Sequence, residues 1–497
     1  MKNNKLFKLV TSKYLILAIQ LIVSIVVVYL SFKLKLIPIK YLIAMIVLLI
    51  VLLVAFFGII YSGEKKQKTG IQSKRSIITK IISLLVSIAL VFGCTMLTRS
   101  DQFIDKVSDA VGQEYVISVI ALKDSNITKK DLDSKTFGVC YEKDSNTLTT
   151  ALADMEKEIG EQKYNKYDNY QELADALYNK EVDCIVVGEQ FRTQLQANHE
   201  AFNEETKVIT SYTYDAKLEV TTKKTDVTEN PFSVYVTGID VYGSLKTVSR
   251  SDVNLIVTVN PKTKQILMTS IPRDCEIKLH KNGKLDKLTH TGNYGTAETI
   301  NTIQDLLDMQ INYFVRTNFS GMTNIVDALG GITVESDEEF TTLHGNYHIT
   351  KGLNEMDGDK ALCFVRERKH LQAGDFARGR NQQKVLSALI DKALSPKIIT
   401  NFDNILSALE GTFETDMSSD EIRSLISMQL NDMADWNIIN VQIEGEYYDC
   451  YETYSMYGTK SDVMKPFDSH IKRVRELINK VEEGKKIKDS ELTGLVH

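Results

Sequence analysis

The chain has 497 residues, of which 43% are hydrophobic and 25% are charged, and its formal net charge is −6. This length exceeds one ordinary domain and is typical of about three structural units. The negative charge argues against a nucleic-acid partner, because proteins that bind nucleic acids usually present a basic surface.

Three apolar segments open the chain, at residues 14–32, 41–62 and 77–97. Each has roughly 20 residues, is almost free of charge and is rich in Ile, Leu and Val, as the hydrocarbon core of a bilayer requires. The segments have no polar face, and no small-residue cleavage site follows the first one. Residues 1–97 are therefore predicted to form a membrane anchor of three transmembrane helices.

Basic residues beside these segments predict their orientation, because cytoplasmic loops carry an excess of Lys and Arg. Four lysines precede Tyr14 and five basic residues lie between Lys65 and Arg75, whereas the first loop carries three lysines. The N-terminus is therefore expected in the cytoplasm. With an odd number of spans, the large region after Leu97 is expected to be extracytoplasmic.

The six cysteines do not predict a disulfide framework. Cys94 lies in the third apolar segment, and the other five are far apart and odd in number. Most of them, such as Cys140 and Cys184, lie in apolar runs, where buried free thiols are expected.

Residues 98–228 are predicted to form a small extracytoplasmic α/β accessory domain with a partly parallel sheet, because β-rich runs alternate with helical stretches. The strands are predicted at 115–122, 137–141 and 182–187, and the helices at 147–159 and 170–179. This region has no convergent set of polar residues, which favours a scaffold or docking role.

A polar segment followed by Pro231 marks a boundary, and residues 229–485 are predicted to form an α/β domain with a mixed sheet and helices on both faces. Its strands are predicted at 232–239, 254–259, 265–271, 313–317, 332–335 and 438–443. Its helices are predicted at 296–307, 323–329, 376–394, 403–409, 420–430 and 466–482. Residues 486–497 are predicted to form a polar tail.

Charged residues recur at the strand ends of this second domain. Asp240 ends the first strand, Arg250 and Asp252 open the next, and Arg273 closes the hairpin that follows. Side chains at the strand ends of one sheet can converge on a crevice, where open α/β sheets usually bind ligands. We therefore expect these four residues to lie close together.

An arginine-rich cluster follows further along the chain. Arg366 and Arg368 precede a predicted helix, on which Asp375, Arg378 and Gln382 share one face. Guanidinium groups this close repel one another unless an anion with several oxygens lies between them, and phosphate fits their planar fork. The cluster predicts a polyphosphate site, and the membrane segments favour a phosphate carried on a lipid.

Single charged residues are weak evidence, because surface Arg and Asp most often form solvated ion pairs. Arg380, Asp274 and Glu367 are assigned to that class. The interpretation depends instead on the order of motifs, in which Arg-x-Arg follows the apolar run 361–365, interpreted as a strand, and Asp-x-x-Arg then opens a helix.

No residue is a clear general base. His290 and His370 lie near the motifs, and a structural or surface role is favoured for both. Phosphoryl transfer can depend mainly on positioning and electrostatics, so this is compatible with an enzyme.

Five stretches resemble the LytR-CpsA-Psr family of bacterial cell-envelope proteins, and most closely its CpsA-like branch. They are Arg250-Ser-Asp and the stretches at 270–274, 319–332, 361–368 and 375–383. The resemblance covers about residues 230 to 395, and the anchor with three spans and an accessory domain is similar to the CpsA arrangement. Asn381 departs from many members, which have an arginine there, but fits the CpsA branch.

The resemblance implies a phosphotransferase that moves a glycopolymer, capsular or teichoic-acid-like, with its phosphate from a polyisoprenyl pyrophosphate carrier to peptidoglycan. It implies Asp240 and Asp252 as ligands of Mg²⁺ or Mn²⁺, and Asp375 as the residue that orients an arginine or the accepting hydroxyl. The implied pyrophosphate ligands are Arg250, Arg273, Arg366, Arg368, Arg378 and Gln382. The implied catalytic residues are Arg250, Arg273, Arg366, Arg368 and Asp375.

Two alternatives stay open: a regulatory membrane protein of envelope polysaccharide synthesis, and a hydrolase that cleaves the lipid pyrophosphate without an acceptor. The cytoplasmic loop, residues 63–76, is too short for a DNA-binding fold. The expected partners are the lipid-linked glycopolymer, peptidoglycan, the bilayer and proteins that assemble envelope polysaccharides, and no nucleic acid is expected.

Overall fold

The computed structural model describes residues 12–65, 74–109, 112–140, 145–217, 222–239, 244–395 and 409–495. The chain divides into two compact units. The first unit comprises residues 1–108, 399–410 and 417–435, and the second comprises residues 109–398, 411–416 and 436–497.

Within the described residues, the helices of nine residues or more are α1 (Lys13–Leu34), α2 (Ile39–Lys65), α3 (Lys74–Val107), α4 (Ser145–Ile159), α5 (Tyr170–Tyr178), α6 (Thr296–Leu307), α7 (Phe319–Ala328), α8 (Gly358–Arg366), α9 (Gly374–Leu394), α10 (Ser419–Asp432) and α11 (Asp468–Glu482). The strands are β1 (Gly112–Leu122), β2 (Phe137–Val139), β3 (Tyr164–Lys166), β4 (Cys184–Gly188), β5 (Thr206–Lys217), β6 (Phe232–Ile239), β7 (Ser251–Asn260), β8 (Gln265–Ser270), β9 (Glu276–Lys278), β10 (Leu285–Lys287), β11 (Tyr313–Asn318), β12 (Ile332–Ser336), β13 (Phe340–Thr341), β14 (His348–Ile349), β15 (Gly352–Met356), β16 (Phe413–Thr415), β17 (Asn437–Gln442), β18 (Gly445–Cys450) and β19 (Ser461–Pro466).

The first unit contains three helices, α1 to α3, that are each long and apolar enough to cross a bilayer. Large apolar side chains such as Ile22, Ile25 and Phe57 are exposed on them, as lipid-facing residues are. The prediction of three long apolar N-terminal helices is therefore confirmed, although α3 continues to Val107, beyond the predicted end of the third segment.

Helix α10 also belongs to the first unit. A capping box closes its N-terminus, where Ser418 and Glu421 satisfy each other's backbone N–H groups. Ile422 packs against the buried cluster of Leu34, Leu36 and Ile104. Arg423 forms ion pairs of 2.6 Å with Asp101 and 2.8 Å with Asp105, so α10 is held against the end of α3.

The first sheet of the second unit has five strands in the order β3-β2-β4-β1-β5. Strand β2 is parallel to β3 and β4, and β1 is antiparallel to β4 and β5. Cys184 and Val186 of β4 pack in one core with α4, whereas Ile185 and Val187 pack in another with α5. This alternation places a helix on each face, and the predicted α/β architecture with a partly parallel sheet is confirmed.

The second sheet has six strands in the order β16-β11-β6-β7-β8-β17. Strand β11 is parallel to β6 and β17 is parallel to β8, whereas β6, β7 and β8 are antiparallel to their neighbours along the chain. Ile256 and Leu267 on one face pack with α6 and α11. On the other face, Gln383 of α9 donates to the carbonyls of Met268, at 3.0 Å, and Val441, at 2.8 Å. The predicted mixed sheet with helices on both faces is confirmed.

The predicted strand at 361–365 is wrong, because these residues belong to helix α8. The side chain of Asp357 accepts the N–H of Lys360 at 2.9 Å and so caps the helix. Ala361, Phe364 and Val365 are buried at helical spacing, so the run is one face of a helix.

Three further details concern the sequence expectations. None of the six cysteines, all of which the structure describes, forms a disulfide, and Cys140, Cys184 and Cys275 are buried, as the pattern predicted. The antiparallel hairpin of β18 and β19 was not predicted. Most of the predicted helix at 403–409 lies outside the described residues.

Candidate active site

The ends of β7 and β8 bring two of the predicted residues into contact. Strand β7 begins at Ser251, and its antiparallel partner β8 ends at Ser270, so Asp252 and Arg273 lie at the same end of the sheet. Nη1 of Arg273 donates to Oδ2 of Asp252 at 2.7 Å, and the hydroxyl of Thr289 donates to Oδ1 at 3.1 Å. Both partners of the ion pair are 19% exposed, so the pair remains open to a ligand. Asp240 lies outside the described residues.

Helix α9 adds Asp375 and Arg378, which pair at 2.6 Å between Oδ1 and Nη2. Gly379 allows the helix to approach the sheet closely. A Cβ atom at this position would lie 2.3 Å from Nε2 of Gln442 and 3.0 Å from Oγ of Ser270. The sequence Arg-Gly-Arg therefore sets Arg378 beside the ends of β8 and β17 without steric conflict.

Three arginines act on the carboxyl group of Asp252. Desolvation would raise its pKa, but the positive charges of Arg273, Arg250 and Arg378 outweigh that effect and hold the pKa below its usual range. Of the three, Arg273 is in direct contact with this carboxylate, and Arg250 and Arg378 act on it through their charge. Residues from β7, from the end of β8 and from α9 therefore meet at one place.

Two further carboxylates belong to this cluster. Asp274 is buried and pairs with Lys287, and although burial would raise its pKa, Lys287 and Arg273 hold the pKa below its usual range. The pKa of Asp375 is raised, first by burial and also by the charge of Asp274, against the opposing charge of Arg378. The assignment of Asp274 to solvated surface ion pairs was wrong, because single-residue reasoning does not reveal burial.

The arginines of the Arg-x-Arg motif diverge in the structure. The guanidinium group of Arg366 lies over the ring of Phe319, 4.1 Å from the ring centroid. Arg368 is exposed, and its charge acts on Asp375. Of the two arginines, Arg368 is therefore the one that interacts electrostatically with the cluster.

Glu367, which lies between these two arginines in the sequence, has a structural role. Its buried carboxylate accepts the backbone N–H groups of Leu343 at 2.5 Å, Arg368 at 2.9 Å and His370 at 3.1 Å. Burial would raise its pKa, but these hydrogen bonds hold the pKa below its usual range. Glu367 was also wrongly assigned to the surface class, since it shapes the loop that carries Arg368.

The remaining polar residues near the motifs have protein partners. Nε2 of Gln382 lies 3.4 Å from the carbonyl oxygen of Val365, a long hydrogen bond that ties α9 to α8. Nη1 of Arg380 lies 4.0 Å from Glu444. His290 is buried, with Nδ1 2.6 Å from Asp286, and exposed His370 lies 3.5 Å from Glu367.

A cavity of about 470 Å³ opens beside the cluster, and Asp274, Arg368 and Asp375 form one side of it. Tyr447 and Tyr448 of the hairpin β18–β19 line another side. Sequence reasoning missed these tyrosines. The signal that points to them is the density of tyrosine in this stretch, at positions 447, 448, 451, 454 and 457.

The described residues do not by themselves fit the predicted Mg²⁺ or Mn²⁺ ion. Among them, no group of three or more His, Cys, Asp or Glu side chains is placed to hold a metal. Both carboxylate oxygens of Asp252 are engaged, by Arg273 and Thr289, and hard cations require several oxygen ligands. The ion stays a prediction, and no step proposed below uses one.

Comparison with known proteins places this site in a family context. The LytR_cpsA_psr family model matches residues 187–472, more than half of the chain. The polyisoprenyl-teichoic acid–peptidoglycan teichoic acid transferase TagU of Bacillus cereus (strain AH820) is 33% identical over 248 residues, which are 48% of this chain and 79% of TagU. TagU of Bacillus mycoides (strain KBAB4) is 31% identical over 246 residues, again 48% of this chain and 79% of the relative. A crystal structure of B. subtilis TagV aligns with a TM-score of 0.44 at 27% identity, over 52% of this chain and 99% of TagV.

Proposed function

This chain belongs to the LytR-CpsA-Psr family, and from that premise we propose that it is a membrane-anchored transferase that attaches a glycopolymer to peptidoglycan. The donor is the polymer linked to a polyisoprenyl pyrophosphate, and the polymer is capsular or teichoic-acid-like. The name of the relative TagU supports this class of reaction. The observation that carries the proposal is the pairing of Arg273 with Asp252 and of Arg378 with Asp375 where the ends of β7 and β8 meet α9.

The charge of the cluster matches a pyrophosphate diester. The cations are Arg250, Arg273, Lys287, Arg368 and Arg378, and the acids are Asp252, Asp274 and Asp375. Five cations against three carboxylates leave an excess of two positive charges, which balances the two negative charges of a pyrophosphate esterified at both ends. Arginine forks bind such oxygens in pairs, and the fixed ion pairs hold the forks in place before the ligand arrives.

In the proposed reaction, a hydroxyl of peptidoglycan attacks the phosphorus next to the polymer. The bond between that phosphorus and the bridging oxygen breaks, and polyisoprenyl phosphate leaves. The arginines neutralise the charge that develops on the bridging oxygen and the leaving phosphate. We propose that Asp375, which lies beside Arg378 in the cluster, accepts the proton of the attacking hydroxyl.

We also propose the topology that the basic residues predict, with the N-terminus in the cytoplasm and the second unit outside. This places the cluster on the side of the membrane where peptidoglycan is built. A maleimide that cannot cross membranes should label Cys450, a partly exposed free thiol, in intact cells. Labelling that appears only after the cells are opened, and that Cys450→Ser abolishes, would reverse the topology.

The function is tested with the full chain in detergent, a lipid-linked polymer donor and peptidoglycan. We expect polymer on peptidoglycan and the release of polyisoprenyl phosphate in equal amounts. Free polymer formed at the same rate with and without peptidoglycan would instead show the hydrolase. If neither product forms while the chain controls polymer synthesis in cells, the regulatory alternative holds.

A further inference from the structure

The cavity beside the arginine cluster has a second side that the proposed reaction does not use. This side is lined by Tyr447, Tyr448 and Asp449 of β18, by Asp462 of β19, and by Lys369 and Gln372 of the loop before α9. We refer to these six residues as the tyrosine wall. The cavity volume of about 470 Å³ falls within the range of small-molecule sites.

The two rings of the tyrosine wall are held in place but not covered. The ring of Tyr447 packs edge-on against Phe376 of α9, with 5.6 Å between centroids, and the residue is still 43% exposed. The hydroxyl of Tyr448 donates to Glu276, and the residue is 39% exposed. Exposed aromatic rings that are fixed in this way offer a flat contact surface at low entropic cost.

The charges of the tyrosine wall decide which ligand class it fits. Asp449 pairs with Lys460 at 2.8 Å, and Lys369 and Asp462 have opposite charges, so this side has no excess of positive charge to hold a phosphate. Tyrosine hydroxyls, carboxylates and an amide are too polar for a lipid chain, which would leave them without hydrogen-bond partners. A ligand that combines many hydroxyl groups with an apolar ring face satisfies both conditions, and this is the chemistry of a saccharide.

We propose that the tyrosine wall binds the saccharide adjoining the reacting phosphate, with a sugar ring against Tyr447 and its hydroxyls on Asp462 and Gln372. This inference rests on the proposed function. Arg368 and Asp375 line the cavity too, so a sugar here lies next to the cluster that holds the pyrophosphate. The sugar belongs either to the donor, next to its phosphate, or to the peptidoglycan acceptor.

Kinetics of the Tyr447→Leu variant of the full chain distinguish these sources. We expect KM to rise about tenfold for one substrate, with kcat within twofold, because binding is lost and the reacting groups remain. A rise for the lipid-linked donor assigns the wall to the donor sugar, and a rise for peptidoglycan assigns it to the acceptor. Tyr447→Phe, which keeps the ring, should restore most of the loss.

Tyr457→Leu is the matched control, because Tyr457 is 62% exposed and lies outside the cavity but in the same part of the chain. Should Tyr447→Leu fail to fold, exposed Asp462→Asn provides the second variant and should raise the same KM. Unchanged KM values for both substrates in the folded variants would overturn the inference.

A binding measurement separates this inference from the proposed function. Saturation-transfer NMR uses the peptidoglycan disaccharide and a hexosamine 1-phosphate as probes, with wild type and Tyr447→Leu. If wild type transfers nothing but binds a probe that the variant does not bind, the function fails and the saccharide site stands. If neither probe binds wild type more strongly than the variant, the saccharide site is refuted.

Discussion

The two sheets of the second unit are both mixed and both have helices on each face, yet they carry different charges at their strand ends. In the first sheet, the polar turn after β4 contains one tight pair, in which Arg192 donates twice to Glu189, at 2.6 and 2.7 Å. In the second sheet, β7, β8 and α9 bring several arginines to the same carboxylates. In the first arrangement the two opposite charges balance each other, whereas the second has an excess of positive charge and therefore attracts an anion.

The largest expected effect is that of Arg273→Ala in the second sheet. We expect transfer to fall by about 100-fold or more, because the variant removes a preorganised cation from the developing charge and leaves Asp252 without its ion pair. The loss is measured as the rate at which polymer is attached to peptidoglycan. Arg192→Ala beside the first sheet, which removes an equally tight pair, should keep nearly full activity. Equal losses in the two variants would contradict the distinction between the sheets.

The second effect concerns the loop that borders the cluster. Arg368→Ala should lower transfer by about tenfold or more, because Arg368 acts electrostatically on Asp375 and lines the cavity. His370→Ala should change the rate by less than about twofold, since that side chain is exposed and phosphoryl transfer does not require it. Near-equal losses would show that the loop matters for its conformation rather than its charge.

Arg366→Ala sharpens the same test. The sequence predicts that this variant, like Arg368→Ala, lowers transfer more than His370→Ala does. In the structure, Arg366 lies over Phe319, so a loss of thermal stability should accompany any loss of rate. A large loss of rate with unchanged stability would show that Arg366 turns toward the ligand during catalysis.

A glycine in each sheet region gives a smaller contrast. Gly379→Ala should destabilise the second unit by about 1 kcal/mol and also lower transfer, because the added Cβ meets the side-chain ends of Gln442 and Ser270, which are buried and must shift beside the cluster. Gly138→Ala in the first sheet, where the Cβ would lie 2.7 Å from Leu173, should lower stability alone. Thermal unfolding and transfer assays measure the two quantities. A Gly379→Ala enzyme with full activity would refute the need for this close approach.

The smallest effect is a pH dependence of stability in the second sheet. Burial raises the pKa of Asp416 to about 6, although it accepts hydrogen bonds from Phe314 and Thr222. A carboxyl whose folded-state pKa is raised stabilises the folded state below its unfolded pKa of about 3.9, and that contribution is lost as the pH rises through about 6. Relative to Asp416→Asn, wild type should therefore gain about 1 kcal/mol in free energy of unfolding from pH 7 to pH 5. Parallel pH profiles of the free energy of unfolding for wild type and Asp416→Asn would refute this prediction.

Regular periodicity made much of the fold predictable. The bounds of β6 and α6 agree with the predicted 232–239 and 296–307, because their apolar residues follow the strand or helix period without interruption. The strand prediction at 361–365 was wrong because five consecutive apolar residues fit the period of a strand and that of a helix equally well. The N-cap, Asp357, lies outside these five residues and decides for the helix.

The site was predictable in its types of residue and less so in its contacts. Spacing placed Asp375 and Arg378 on one face of a helix, and the structure pairs them. The separation of Arg366 from Arg368 depends on where α8 ends and on the ring of Phe319, which only the tertiary fold brings there. The two tyrosines of the tyrosine wall come from an exposed hairpin far along the chain, where tyrosines have no apolar alternation to mark a strand.

Helix α10 has a practical consequence for anyone who prepares a soluble fragment. A fragment that begins at residue 109 would remove Leu34, Leu36 and Ile104 and keep Ile422, the apolar residue that packs on them. It would also leave Arg423 without Asp101 and Asp105. Such a fragment would expose the apolar residue of α10 that packs on the anchor, and it would tend to self-associate. Replacing residues 417–435 with a short polar linker, or keeping the anchor and purifying in detergent, avoids this problem.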